Sequence, residues 1–210
     1  MRWRRRLQVA AVFALIVAYA ALSHYCNATA GAHDLGAALA LAPPLTVGFV
    51  VLWRVTRPLT ALLLAFLAAV LLYDNWPLFK ANFSILYLLQ ECGVYGLLAV
   101  SFGRSLRAGG TALCTRLADQ MHGPLTAREI RYTRQVTAAW ALFFGAITAV
   151  TFALFIWAPL PRWSLFVNFC TLPLVAAMFA AEYAVRRRVL PSTERGGILG
   201  AVRVFLTSPR

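Results

Sequence analysis

The chain has 210 residues, of which 61% are hydrophobic and 13% are charged, roughly half the charged fraction of a soluble domain. Its 20 lysine and arginine residues against 7 acidic residues give a formal net charge of +13. This composition excludes an ordinary soluble enzyme. Because the apolar runs are long, it also indicates that the positive charge meets phospholipid rather than nucleic acid.

Six apolar runs have the length of a membrane-spanning helix, which needs about 20 residues to cross the hydrocarbon core. In chain order they cover residues 7–23, 35–53, 58–73, 83–102, 136–158 and 163–185. The second run contains Pro43 and Pro44. The third is short, and Arg57 and Trp76 are placed to anchor its ends. The sequence therefore predicts an all-α, polytopic transmembrane helix bundle that forms one domain over residues 1–210.

The basic residues are distributed unevenly among the loops. With a cytoplasmic N-terminus, 18 of the 20 lie on the cytoplasmic side, and Lys80 and Arg162 lie outside. Because cytoplasmic loops carry the excess of positive charge, both termini, the loop 103–135 and the tail 186–210 are predicted to be cytoplasmic. Alternatively, the first run is a signal peptide with Ala18-Tyr19-Ala20 at its cleavage site, which would leave five spans.

The loop 103–135 begins with a predicted interfacial helix. Thr111 is expected to cap this helix, and Gly123-Pro124 is expected to end it. Its Leu113, Leu117 and Met121 share one apolar face, so the helix should lie on the membrane surface. In the tail, a similar apolar stripe predicts either a second interfacial anchor or disorder. That stripe consists of Ile198, Leu199, Val202, Phe205 and Leu206.

A second helix is predicted in the same loop, because Thr126 and Glu129 have the spacing of a capping box. This helix should run without a break into the fifth span. The loop also carries candidate docking residues for an acidic partner or anionic lipid headgroups. These are Arg104, Arg107, Arg116, His122, Arg128, Arg131 and Arg134. The alternative is that the arginines only fix the membrane topology.

Polar residues on the fourth span form a second candidate site, for substrate or for helix packing. With one residue of the sixth span, the cluster consists of Ser84, Tyr87, Gln90, Glu91, Tyr95 and Asn168. Glu91 lies near the bilayer midplane, where an ionised carboxylate costs several kcal/mol, so it should be protonated, hydrogen-bonded or in a wet cavity. Two interpretations stay open: substrate or proton handling, and hydrogen bonding that fixes the helices.

Familiar catalytic and metal-binding patterns are absent from the sequence. It contains no nucleotide-binding glycine motif, no G-x-S-x-G and no H-E-x-x-H, so we expect no metal and no cofactor and name no catalytic residue. Four outer residues match no metal-site spacing and are expected in solvated loops: His24, His33, Asp34 and Asp74. The cysteines share no C-x-x-C spacing and are interpreted as small buried hydrophobes. They are Cys26, Cys92, Cys114 and Cys170.

Short segments in the second half of the chain carry a family resemblance. They are Phe102-Gly103-Arg104-Ser105-Leu106, His122-Gly123, Tyr132-Thr133-Arg134, Ala139-Trp140, Trp163-Ser164-Leu165-Phe166 with Asn168, Pro173-Leu174-Val175 and Glu182-Tyr183. They resemble an uncharacterised family of small bacterial inner-membrane proteins encoded beside fatty-acid-synthase-like genes for aryl polyene or xanthomonadin-type pigments. Some members are labelled ketosynthase. A condensing enzyme needs an activated cysteine with histidine or asparagine partners in a soluble fold, and no cysteine here has that setting.

The resemblance implies an accessory protein of the bacterial inner membrane that serves the synthesis or export of a lipid-like polyene. The expected partners are the phospholipid membrane, acyl carrier protein and other pathway enzymes, and not nucleic acid. The absence of catalytic motifs favours a non-catalytic role. Two alternatives stay open, an intramembrane acyl- or lipid-modifying enzyme that uses Glu91 and a transporter or flippase subunit. The ligand and the oligomeric state stay open as well.

Overall fold

A computed structural model describes residues 2–29, 31–107 and 109–189, and these residues are helical with short connections and no strand. The helices are α1 (Arg2–Ala28), α2 (His33–Val55), α3 (Pro58–Asp74), α4 (Trp76–Ala81), α5 (Phe83–Ser105), α6 (Leu113–His122), α7 (Ala127–Trp157), α8 (Leu160–Leu165) and α9 (Thr171–Val189). A π-helical turn, Phe166–Cys170, joins α8 to α9. The all-α prediction is confirmed. The apolar stripe predicted in the tail lies outside the described residues.

Among the residues that the structure describes, four helical segments are long and apolar enough to cross a membrane. They are α2, α5, α7 and the continuous segment Leu160–Val189, and they match the second, fourth, fifth and sixth predicted spans, the fifth to within one residue at its end. The third predicted span coincides with α3, which has 17 residues and is shorter than a usual span. The first lies within α1, whose N-terminal turns carry arginines. A multi-pass membrane protein follows from the four segments, and the six-span arrangement stays a prediction.

The surface of α3 is apolar on all sides. Among its residues Ala61 is buried, whereas Leu59 and Tyr73 are 82% and 83% exposed. The less exposed positions 61, 65, 68 and 72 share one face, and the other faces expose large apolar side chains, which are stable in contact with lipid rather than water. The exposure of α3 therefore fits the membrane assignment.

The described helices form two compact units. The first unit takes residues 2–93 and 151–170, and the second takes residues 94–150 and 171–189. The prediction of one domain stays a prediction. The core of the first unit contains Cys26, Ala37, Ala40, Phe83, Tyr87, Leu88, Trp163 and Val167. Gly36 lets α2 approach this core, because a Cβ atom there would lie 2.7 Å from Cδ2 of Phe83.

The second unit is built around aromatic side chains. The ring of Trp140 is buried, and its centroid lies 4.6 Å from that of Phe179 and 5.2 Å from that of Phe144. The Phe144 ring also contacts Tyr95 and Phe102. These ring pairs fix α5, α7 and α9 against one another within the unit.

Candidate functional site

Two backbone carbonyl groups of α2 lack their usual helical partners, because proline at positions 43 and 44 has no N–H to donate. The carbonyl oxygens concerned belong to Leu39 and Ala40, four residues earlier. The Tyr19 hydroxyl of α1 donates to the first at 3.2 Å, and the Gln90 amide of α5 donates to the second at 2.5 Å. Neighbouring helices therefore donate hydrogen bonds to the two carbonyl groups that the prolines leave without a donor. A helix in lipid requires such partners, because no water is present to replace them.

Further hydrogen bonds join α1 to α5 in the first unit. The Tyr87 hydroxyl lies 3.2 Å from Oγ of Ser23, and both side chains are buried. One turn along each helix, the Ser84 hydroxyl donates to Oδ1 of Asn27 at 3.0 Å. The Asn27 amide donates in turn to the Ser23 carbonyl at 2.9 Å. Three of the predicted cluster residues, Ser84, Tyr87 and Gln90, thus contact other helices through their polar atoms.

His24 lies on α1 and not in a solvated loop, which corrects the expectation for this residue. Its Nδ1 atom is 3.2 Å from Oγ of Ser164, a fully buried residue of α8, and its ring packs edge-on against Phe169. Asn168, the predicted cluster residue on the π-helical turn, donates to the carbonyl oxygen and to Oγ of Ser164 at 2.9 and 3.1 Å. Histidine, serine and asparagine therefore tie α1 to the start of the last helical segment.

Glu91 differs from its neighbours. Its side chain is half-buried on α5, and its carboxyl makes no hydrogen bond or ion pair with any residue that the structure describes. Tyr95, one turn further along α5, belongs to the second unit, where its ring stacks on Phe144. The structure thus bonds Ser84 and Tyr87 to α1 and Gln90 to α2, and it leaves Glu91 as the cluster residue whose carboxyl has no partner among the described residues.

Sequence reasoning missed the α1 side of these contacts. Ser23 and Asn27 are four residues apart and so share a helix face, as do Ser164 and Asn168. That spacing was a usable signal, because small polar side chains on one face of an apolar helix often bond to another helix. Their partners depend on the helix packing and could not be read from spacing.

The N-terminus of α6 is held by side chains of other helices. Thr111 makes no cap, so the prediction for this residue is wrong. The first amides donate instead to Oγ of Ser105 at 3.1 Å and to Oγ1 of Thr137 at 3.2 Å, from Leu113 and Cys114 respectively. A side chain from a distant chain segment can accept hydrogen bonds from the N–H groups of the first helical turn, just as a local capping residue does. It also attaches α6 to α5 and α7.

The predicted capping box at the start of α7 is confirmed. The Thr126 amide donates to Oε2 of Glu129 at 2.8 Å, and the Glu129 amide lies 3.3 Å from Oγ1 of Thr126. The helix then runs unbroken from Ala127 to Trp157, as predicted. The basic loop and the fifth span therefore share one continuous helix.

Six arginines of this region form what we call the arginine surface. They are Arg104, Arg107, Arg116, Arg128, Arg131 and Arg134, and all six are exposed. Among the described residues, none of them forms an ion pair with an acidic side chain. The Arg134 guanidinium donates to the Leu106 carbonyl.

His122 ends α6, and its side chain lies outside what the structure describes. The apolar face of α6 is open too, with Leu117 and Met121 each 50% exposed.

A groove lies between α7 and α9 in the second unit, with a volume of about 220 Å³. At one point along it the Tyr132 hydroxyl lies 3.0 Å from Oε1 and 3.2 Å from the carbonyl oxygen of Glu182, and donates to them. The remaining lining is Gln135, Val136, Ala139, Met178, Ala181 and Val185. We call this the α7–α9 groove. Sequence analysis did not single it out.

Cysteine and metal chemistry find little support in the described residues. Burial raises the pKa of the Cys114 thiol, so the thiol stays protonated at neutral pH. Within residues 2–29, 31–107 and 109–189, no three His, Cys, Asp or Glu side chains are grouped so that they could hold a metal ion. No family model matches the chain, and no curated protein or solved structure matches it either.

Proposed function

We propose that the chain is a six-span protein of the bacterial inner membrane with both termini in the cytoplasm. The four long apolar segments support the membrane assignment, and α1 and α3 supply the two further spans. The excess of arginine in the loops of one side supports the orientation. In this arrangement α6 lies along the inner leaflet with Leu117 and Met121 toward the lipid.

We propose further that the protein is an accessory of a pathway that makes or exports a lipid-like polyene. It docks acidic carrier protein or anionic headgroups on the arginine surface. The observation that carries this proposal is that six exposed guanidinium groups in one region have no acidic partner among the described residues. Unneutralised positive charge of this density attracts anionic partners and speeds their association.

The docking test compares two double variants of equal charge. Arg128→Gln with Arg131→Gln removes two charges from the arginine surface. Arg54→Gln with Arg57→Gln removes two from the end of α2 and the connection to α3. Exposed ion pairs contribute up to about 1 kcal/mol each, so we expect the first variant to bind an acidic acyl carrier protein roughly five- to thirtyfold more weakly at low salt. The second should bind normally. Equal binding by both variants and the wild type would refute docking on this surface.

The pathway is tested in a deletion strain. Profiling its metabolites and locating the product by membrane fractionation distinguishes the roles. An accessory in synthesis predicts a lower polyene yield, and an accessory in export predicts product retained in the inner membrane. A strain with unchanged yield and unchanged location contradicts the polyene proposal. The docking experiment does not depend on that outcome.

A second candidate function, an intramembrane enzyme that modifies acyl chains, is favoured by Glu91. A carboxyl within an apolar helix is costly unless it is paired or has a function, and this one has no partner among the described residues. Glu91→Gln keeps the shape and removes the acid. If the enzyme interpretation is right, this variant abolishes product at normal protein abundance, and if Glu91 only packs helices, product is retained.

A further inference from the structure

The α7–α9 groove has a largely apolar lining. Its walls include Val136, Ala139, Met178, Ala181 and Val185. Both bordering helices belong to segments apolar enough to span a membrane, so an apolar groove on their surface meets lipid chains. A narrow cleft of about 220 Å³ suits a segment of one hydrocarbon chain rather than a compact polar ligand.

One end of this groove is marked by positive charge. On α7, Arg128 precedes Tyr132 by four residues and therefore lies one turn beyond it on the same helix face. On α9, Arg186 follows Glu182 by four residues, and Arg188 follows Val185 by three. Because Tyr132 contacts Glu182, the turns that carry these arginines lie at the same end of the groove.

The acidic group at this end does not remove the positive charge. Glu182 is the acidic residue in the groove lining, and its carboxyl already accepts a hydrogen bond from Tyr132. With Glu129, which follows Arg128 on α7, the carboxylates here number two, and the three arginines still leave a net positive end. An apolar cleft that ends in guanidinium groups matches an amphiphile with a hydrocarbon chain and an anionic head.

We infer that the α7–α9 groove binds an anionic phospholipid, with one acyl chain along its apolar lining and the headgroup phosphate at Arg128 and Arg188. The inference rests on the proposed function in one respect, since it takes this end of α7 and α9 to lie at the inner leaflet. It goes beyond that function because it assigns a defined site and a defined ligand class. The acidic carrier protein needs only the charged surface, whereas this ligand needs the groove as well.

The first test fills the groove. Ala181→Phe places a ring in the lining, and Ala180→Phe, at an exposed neighbouring position outside the lining, is the matched control. Native mass spectrometry counts dioleoyl phosphatidylglycerol retained by the purified protein. We expect Ala181→Phe to lose the retained lipid and Ala180→Phe to keep it. Ala139→Leu fills the opposite wall and repeats the test if Ala181→Phe does not fold. Full retention by a folded groove-filling variant overturns the inference.

The second test removes the headgroup contacts. Arg128→Gln with Arg188→Gln should lower the affinity for phosphatidylglycerol about tenfold and leave the weak binding of phosphatidylcholine with the same chains unchanged. Arg104→Gln with Arg116→Gln removes equal charge elsewhere and should not change either affinity. If both double variants weaken phosphatidylglycerol binding equally, the lipid is attracted by charge without a defined site, and the inference is overturned. Ala181→Phe is expected to bind carrier protein normally. The experiment therefore distinguishes a failure of the lipid-binding inference from a failure of the docking proposal.

Discussion

The polar residues around α5 and the arginine surface use their polar atoms in opposite ways. In the first unit, Tyr19, Tyr87 and Gln90 direct their polar atoms to other helices, and two of them satisfy carbonyl groups that prolines leave without a donor. In the second unit, residues such as Arg116 and Arg128 keep their charge exposed and unpaired among the described residues. A polar residue in an apolar helix therefore indicates a site only when its hydrogen-bonding capacity is not already used by helix packing.

The largest effect is expected where the first unit is packed most closely. Gly36→Ala places a Cβ atom 2.7 Å from the Phe83 ring, so it should lower the free energy of unfolding by about 2 kcal/mol. Gly48→Ala on the same helix has no atom within 4 Å of the new Cβ and should be neutral or slightly stabilising. Thermal unfolding in detergent micelles measures both. Equal melting temperatures would mean that α2 does not approach α5 closely.

Because proline leaves carbonyl groups of α2 without a donor, substitutions on α2 and α5 should have coupled effects on the free energy of unfolding. Gln90→Leu leaves the Ala40 carbonyl without its donor and should cost about 1.5 kcal/mol of unfolding free energy. Pro44→Ala restores a backbone N–H for the same carbonyl, so Gln90→Leu should cost less in that background. A double-mutant cycle on melting free energies measures this coupling. Additive costs would contradict the role assigned to Gln90.

A smaller effect is expected at the start of α7. Thr126→Ala removes the side-chain half of the capping box and should destabilise the second unit by about 1 kcal/mol. Thr111→Ala is the control, because Thr111 makes no cap on α6 and its loss should be neutral. Hydrogen exchange at the first amides of α6 and α7 separates the two cases. Faster exchange in α6 after Thr111→Ala would mean that Thr111 caps this helix, as the sequence predicted.

The smallest effect concerns the thiol of Cys114 on α6. Burial raises the pKa of Cys114, so the folded thiol stays protonated at a pH where the unfolded one has ionised. The stability that this difference contributes is present below the ordinary thiol pKa and is lost as pH rises through the raised value. Alkylation of Cys114 should therefore begin at a higher pH in the folded protein than in the denatured one. Coincident pH profiles would show that the thiol is not buried.

The sequence predicted the parts of the fold that depend on local chemistry. Apolar length placed the helices of four spans, and the spacing of Thr126 and Glu129 placed the start of α7. The short helix α4 and the π-helical turn were not predicted, because neither has a local signal strong enough to distinguish it from a loop or a regular helix.

Contacts between helices could not be read from the sequence. The amides at the start of α6 donate to the side-chain oxygens of Ser105 and Thr137, residues that lie 8 and 23 positions away from their partners. Spacing identifies which residues share a helix face, and the packing of the helices decides which faces meet. For the same reason the polar cluster on α5 was predicted, whereas its partners Ser23 and Asn27 were missed.

Labelling from each side of the membrane determines whether the arginine surface faces the cytoplasm. Arg116→Cys and Asn75→Cys are introduced separately into a chain without its four native cysteines, and a membrane-impermeant maleimide is applied to spheroplasts and to inverted inner-membrane vesicles. Both positions are exposed. We expect Arg116→Cys to be labelled in the inverted vesicles alone and Asn75→Cys in the spheroplasts alone. Labelling of Arg116→Cys in spheroplasts would contradict this expectation.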